Sequence, residues 1–245
     1  MHNHGISQSA LTTFRDCPFA YKCYRERKDA VFFDRDIMDT GKFVHDAIDR
    51  YYKNHYLTKG TADDILLLSY GHLKKTWDTT FTPEYLKKAF VSLQNHASWE
   101  AKNILNGIGT KPLTEVVIGE QGFYGIIDYI DLNNVKMIDW KTGSYPSLSY
   151  NYRIQAVIYK ILAEAKFGIK LEKFYFFFLP VNEWRVVNFN SDFQLKVAEE
   201  VMKLKGEIDK SIEMGEFLKK PRTENMCRNC SYKLYCKIGG EQVDE

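Results

Sequence analysis

Just past Gly109 the spacing of apolar residues changes from about four to about two, and past Lys141 it changes back, so the chain must build helices on both sides of a sheet. Glu115 to Gly119, Gly122 to Leu132 and Val135 to Lys141 read as three strands. Asn133-Asn134 supplies a two-residue hairpin turn whose residues tolerate positive φ. That turn fixes a register in which Leu132 faces Val135 and Asp128 faces Asp139.

Before the sheet, Gln8 to Arg27 reads as helix capped by Ser7 and broken at Cys17-Pro18, because proline lacks an amide donor and disfavours helix just before it. Gly41 opens a helix over Lys42 to Leu57 that carries His45. Ala62 to Thr79 and Pro83 to Leu105 follow, the second closed by Gly107 and Gly109. After the sheet come a helix from Tyr152 to Phe167 stopped by Gly168, strands Lys173 to Leu179 and Arg185 to Asn190 separated by Pro180 and Asn182, and a helix from Asp192 to Met214. This order predicts an α/β protein, a sheet core with an N-terminal helical extension and a Cys-rich tail. At 245 residues it is expected to form one domain: a helical part over 1–110, a sheet core over 111–190, and a C-terminal helix and tail over 191–245.

Composition excludes disorder, with 44% hydrophobic and 27% charged residues. No apolar run approaches the ~18 residues of a bilayer crossing, and no basic segment leads into an apolar one at the start, so a cytoplasmic location is expected. Net charge is only +2, but it is uneven: Arg15 to Lys28 carries +3 and Lys219 to Lys237 carries +5, leaving −6 on the remainder. Basic ends around an acidic middle suit a polyanion held over a carboxylate site that needs cations, although solvated helix faces are the plainer reading of the charge count.

Asp128 ends the sequence Gly125-Ile-Ile-Asp128, and Asp139 begins Asp139-Trp140-Lys141 on the paired strand. Facing across the hairpin, the two carboxylates are close enough to share one hard cation, and Lys141, two residues beyond Asp139, shares its sheet face. Two oxygen anions and an ammonium suit phosphodiester hydrolysis, with a divalent ion acidifying a water and lysine orienting that water or neutralising developing charge. A cross-strand ionic cluster on a solvated face is the plainer alternative.

Five cysteines in a chain with no secretory leader argue against a disulfide framework. Cys227, Cys230 and Cys236 form a C-x2-C-x5-C tail that needs a fourth soft ligand, for either an iron-sulfur cluster or zinc. Gln155 and Tyr159 lie one helical turn apart. Tyr145, Tyr150, Tyr152 and Arg153 flank the start of the same helix and are candidate stacking surfaces for single-stranded bases, although aromatics make up 15% of the chain and core packing is the ordinary role for any one.

Together these motifs resemble the PD-(D/E)XK nuclease superfamily, in particular its RecB-like branch with a C-terminal iron-sulfur clasp, which includes AddB-type nuclease domains and the CRISPR-associated iron-sulfur exonuclease. The resemblance rests on G-x-x-D, a ten-residue gap and D-x-K, on Ser9 to Tyr21 with its Cys-Pro, on Gly41-x-x-x-His45, on Gln155-x-x-x-Tyr159, and on the Cys tail. It implies a restriction-endonuclease-like core, a mixed central sheet flanked by helices. It also implies that His45, Asp128, Asp139 and the Trp140 carbonyl hold the divalent metal, with Glu115 matched by strand position alone. Lys141 is then the catalytic lysine, Gln155 and Tyr159 reach phosphate or nucleotide, and Cys17, Cys227, Cys230 and Cys236 hold a 4Fe-4S cluster, leaving Cys23 as a packed thiol. A histidine ligand shifts preference toward Mn²⁺. The implied activity is a DNA exonuclease of recombination or repair; alternatives are trimming of DNA ends before spacer integration, or a non-catalytic cluster-bearing DNA-binding subunit. There is no P-loop, so unwinding requires a helicase partner, and the trimming role implies an integrase partner.

Overall fold

A computed structural model describes residues 5–28, 35–57, 59–76, 82–106, 111–228 and 230–236. Helices α1 (Gln8–Asp16) and α2 (Pro18–Arg25) meet at Cys17, with Ser7 Oγ accepting from Ala10 N and Pro18 opening the second helix. Three longer helices follow, α3 (Arg35–His55), α4 (Ala62–Thr76) and α5 (Pro83–Leu105), and they pack on one another. Strands β1 (Leu113–Glu120), β2 (Phe123–Asp131) and β3 (Lys136–Lys141) lead to α6 (Tyr150–Phe167), then β4 (Lys173–Phe178), β5 (Glu183–Asn188), α7 (Asp192–Met214) and the short α8 (Glu224–Arg228).

The sheet runs in sequence order, β1 to β5. All neighbours are antiparallel except β3 and β4, which are parallel because α6 crosses over between them. The result is a mixed five-stranded sheet flanked by helices. Phe174, Phe176 and Phe178 of β4 pack under α6 and α7, while Phe177 and the following Leu179 pack under α3 and α5, so this strand is apolar on both faces. The surplus of aromatics is largely spent there and around Trp140, whose ring is buried beside Trp99, Tyr129, His96 and Phe177. No helix among the described residues is long and apolar enough to cross a membrane.

Three local expectations are corrected. The hairpin keeps the expected register, Tyr129 opposite Ile138, but its turn spans four residues, and the left-handed one is Val135 at φ 47° rather than an asparagine. The Asp131 carboxylate accepts from Asn133 N at 3.0 Å and Asn134 N at 3.1 Å, which closes the turn as an Asx motif and leaves the reversal to Val135. Gly41 does not open a helix; α3 begins at Arg35 and runs through it. A Cβ at Gly41 would stand 3.0 Å from Thr142 Oγ1, so the glycine serves close approach of α3 to the end of β3. The helix α8 is additional to those expected. The expected stop at Gly107 and Gly109, and the last residues expected of α4, lie outside the described residues.

Candidate active site

The site forms where the pleat loses phase. Along β2, Ile127 and Ile130 lie in the cluster under α6, whereas Tyr129 lies in the cluster under α3 and α5, so strict alternation fails at Asp128. On β1 the ladder passes from Thr114–Tyr129 to Val116–Ile127, and between them Glu115 takes φ 46°, a left-handed conformation that is uncommon for a side-chain-bearing residue. The two carboxylates leave the regular pleat together and meet His45, which α3 delivers from above. His45 Nδ1 stands 3.5 Å from Glu115 Oε1 and 3.6 Å from Asp128 Oδ1. One ligand atom from each of the three falls within 4.8 Å of the others. The other ring nitrogen, Nε2, faces the Trp140 carbonyl at 3.0 Å, and Trp140 N donates to Asp128 Oδ2 at 2.8 Å. Two mainchain groups of β3 therefore fix both the imidazole and the aspartate.

Asp139 and Lys141 point to the α6 face of β3. Lys141 Nζ lies 2.6 Å from Asp139 Oδ2 and donates to Gln155 Oε1 at 2.9 Å, while Gln155 Nε2 donates to Asp139 Oδ1 at 2.5 Å. Gln155 thus bridges acid and amine, and its orientation follows from having one partner of each kind. The rings of Tyr152 and Phe176 stand 4.6 Å and 5.2 Å from the ammonium. Tyr159, one turn below Gln155, is buried, and its ring packs where Gly125 leaves room; a Cβ there would come within 2.8 Å of Tyr159 Cε1.

Electrostatics follow from this crowding. Burial alone would lower the His45 pKa, but Asp128 and Glu115 outweigh it and raise it to about 10, so in the metal-free protein an imidazolium supplies the positive charge the carboxylates require. Burial pushes Asp139 up to about 6, with Lys141 opposing and Asp128 adding to the rise. Burial, reinforced by Asp139 and Asp128, holds the Tyr159 phenol well above its ordinary value.

Of the residues expected to hold metal, His45 and Asp128 converge, and Glu115 completes the trio. In this metal-free arrangement Asp139 gives its oxygens to Lys141 and Gln155, and the Trp140 carbonyl faces His45 Nε2. A carboxylate partner on β1 was suggested by strand position alone; the left-handed backbone that aims it has no sequence signal. One imidazole nitrogen and two carboxylates are a donor set suited to Mn²⁺ or Mg²⁺.

A second constellation lies at the joined ends of the chain. Cys17, Cys227, Cys230 and Cys236 all line one open cavity of about 640 Å³, and none of the five cysteines forms a disulfide. The tail reaches it by docking on the N-terminal helices: Phe19 N donates to Leu218 O at 3.1 Å and Arg222 N to Asp16 O at 2.9 Å. Burial raises the Cys236 thiol pKa, Lys219 opposes the rise, and the other three cysteines add to it. Cys23 is buried and does not line the cavity.

A family model described as the PD-(D/E)XK nuclease superfamily matches residues 5–237. No curated protein sequence matches the chain. Among solved structures, one titled "Crystal structure of SSO0001" is 16% identical over 82% of this chain and 96% of that one, with a TM-score of 0.34.

Proposed function

Since the chain belongs to the PD-(D/E)XK nuclease superfamily, whose members are generally metal-dependent nucleases and whose restriction-endonuclease-like core its mixed sheet matches, we propose that it is a divalent-metal-dependent DNA exonuclease with a structural 4Fe-4S cluster. The observation that carries the catalytic reading is the row of acids across three strands, Glu115, Asp128 and Asp139, with His45 against the first two and Lys141 against the third.

His45, Glu115 and Asp128 would hold the ion, with Asp139 beside them. A divalent ion there supplies charge neutralisation at the scissile phosphate and an acidified water. Lys141 carries its ammonium on the α6 side, where it orients the attacking water or neutralises charge developing on the phosphate. Gln155 holds Lys141 and Asp139 in register, so acid and amine move as one unit. The Trp140 carbonyl keeps the His45 ring in one orientation, leaving Nδ1 for the ligand side.

The four cysteines sharing one cavity support the cluster.

The test is digestion of end-labelled single- and double-stranded DNA with Mn²⁺ or Mg²⁺, beside visible absorption and metal analysis of anaerobically purified protein. Cleavage from ends that falls roughly 10²- to 10³-fold in Lys141→Ala, with an unchanged circular dichroism spectrum, is expected. Parental turnover in that variant sinks the site assignment. Stoichiometric zinc without iron replaces the cluster and leaves the nuclease reading in place.

A further inference from the structure

The connection from β3 to α6 begins at Thr142, next to Lys141, and carries at its crest Tyr145, which is 88% exposed and is the most exposed large hydrophobic residue among those described. Most aromatics among the described residues are buried in the core or packed against it; this ring is left in water, where it forfeits the roughly 1.5–3 kcal/mol that burying such a side chain contributes. The loop under it is well anchored. Thr142 abuts α3 at Gly41, Ser147 N donates to Tyr145 O at 2.9 Å, Ser149 N donates to Ser147 O at 3.0 Å, and Ser149 Oγ caps α6 by accepting from Tyr152 N at 3.3 Å. Leu148 packs on the core cluster, and Pro146 fixes the backbone just after the tyrosine. A ring presented on a stiff support loses little freedom when something stacks on it.

Its neighbours continue the theme. Only Thr142, Gly143 and Ser144 separate Tyr145 from Lys141, so their Cα atoms are at most ~14 Å apart even if the chain is fully extended. In the first turn of α6, Tyr152 lies under the Lys141 ammonium, and the Arg153 guanidinium stands 4.9 Å from the ring of Phe193, which is 51% exposed and meets Tyr150 edge-on at 6.3 Å. Exposed aromatic faces interleaved with cations are how proteins take unpaired bases: every base has a π-face, so stacking tolerates any sequence. Paired bases inside a duplex are already stacked, so only a terminal pair presents a free face.

We propose that Tyr145, with the Arg153–Phe193 pair, forms a stacking platform for the unpaired bases of single-stranded DNA leading into the site, which makes a single strand the favoured substrate. The proposal rests on the nuclease reading for the position of the site, and its test is built to fail separately. Binding is measured without metal by fluorescence anisotropy, with a labelled oligothymidylate and a blunt hairpin duplex of equal length. Tyr145→Ala should weaken oligothymidylate binding about 5- to 150-fold, Tyr145→Trp should retain it, and duplex binding should hold. Single-strand cleavage by Tyr145→Ala should show a raised KM with kcat unchanged. Because the side chain is exposed, the variant should melt like the parent. The platform is overturned if Tyr145→Ala binds oligothymidylate like the parent, or loses both DNA forms equally. If the selective loss occurs but the parent cleaves nothing, the platform stands and the nuclease reading falls; if the parent binds neither form, both fall.

Discussion

Glu115 occupies a backbone conformation its residue type resists, at φ 46°, in the middle of a strand and at the rim of the acidic row. Such a residue costs about 1–3 kcal/mol and persists only where its surroundings over-determine it. Here the over-determination is electrostatic, because the strained backbone aims the carboxylate at His45, which is also held by Asp128. The strain can be isolated by comparing two variants that both lack the carboxylate. Glu115→Gly should be more stable than Glu115→Ala by about 1 kcal/mol in urea unfolding, since only alanine keeps a Cβ in the left-handed region. Both should lose Mn²⁺ affinity in calorimetric titration. Equal stability of the two would mean the strand relaxes once the carboxylate is gone. No sequence rule marks this position, because glutamate is neither the glycine nor the asparagine that announces positive φ. The same holds for Val135.

At the scale of elements, α3 and α5 are locked together by a buried polar group as well as by apolar packing. Tyr52 OH of α3 donates to Glu100 Oε2 at 2.8 Å and stands 3.2 Å from His96 Nε2, both on α5. With that phenol proton committed to Glu100, His96 must donate from Nε2, and its Nδ1 has no hydrogen-bond partner among the described residues. A proton on Nδ1 would therefore be buried without an acceptor, and burial lowers the His96 pKa to about 3. In the unfolded chain it titrates near 6.5, so as pH falls below that value the unfolded state binds a proton the native state refuses. Stability is lost at up to about 1.4 kcal/mol per pH unit on the way toward pH 3. Urea unfolding between pH 7 and 5 should show this slope in the parent and a shallower one in His96→Gln. Identical slopes would mean His96 is protonated in the native state. The helices themselves were legible from apolar spacing, but this network was not, because a tyrosine, a histidine and a glutamate at those positions read equally well as core edge or solvated face.

On the scale of the whole molecule, the two basic segments near the ends of the chain are brought together. Lys219 Nζ lies 4.8 Å from the Phe19 ring, Tyr21 packs against Phe217, and Cys17 shares its cavity with three cysteines more than two hundred residues away. The proposed cluster would bridge a loop of that length and remove on the order of 5 kcal/mol of unfolded-chain entropy. Cys17→Ala should therefore lower the melting temperature by roughly 10–20 °C in cluster-loaded protein, with bleaching of the visible absorption. Cys23→Ala, which removes a thiol outside the cavity lining, should shift it much less. Equal shifts for the two variants would mean that Cys17 contributes only packing.

Much of this protein was settled by local chemistry. The apolar periods placed the strands and most helices, Pro18 placed the break between α1 and α2, and a two-residue separation put Asp139 and Lys141 on one face. The hairpin also kept the register expected of it, Tyr129 opposite Ile138. Each is fixed by neighbours in sequence, through side-chain period or ring closure. Tertiary structure alone decided that Glu115 turns left-handed to join His45 and Asp128, that Asp139 is held by Gln155 and Lys141, and that Tyr145 stays in water while the other aromatics of its group are partly covered. These outcomes depend on which charged or apolar surface arrives from a distant part of the chain, and on where a pleat gives way under that load, neither of which a local pattern of residues encodes.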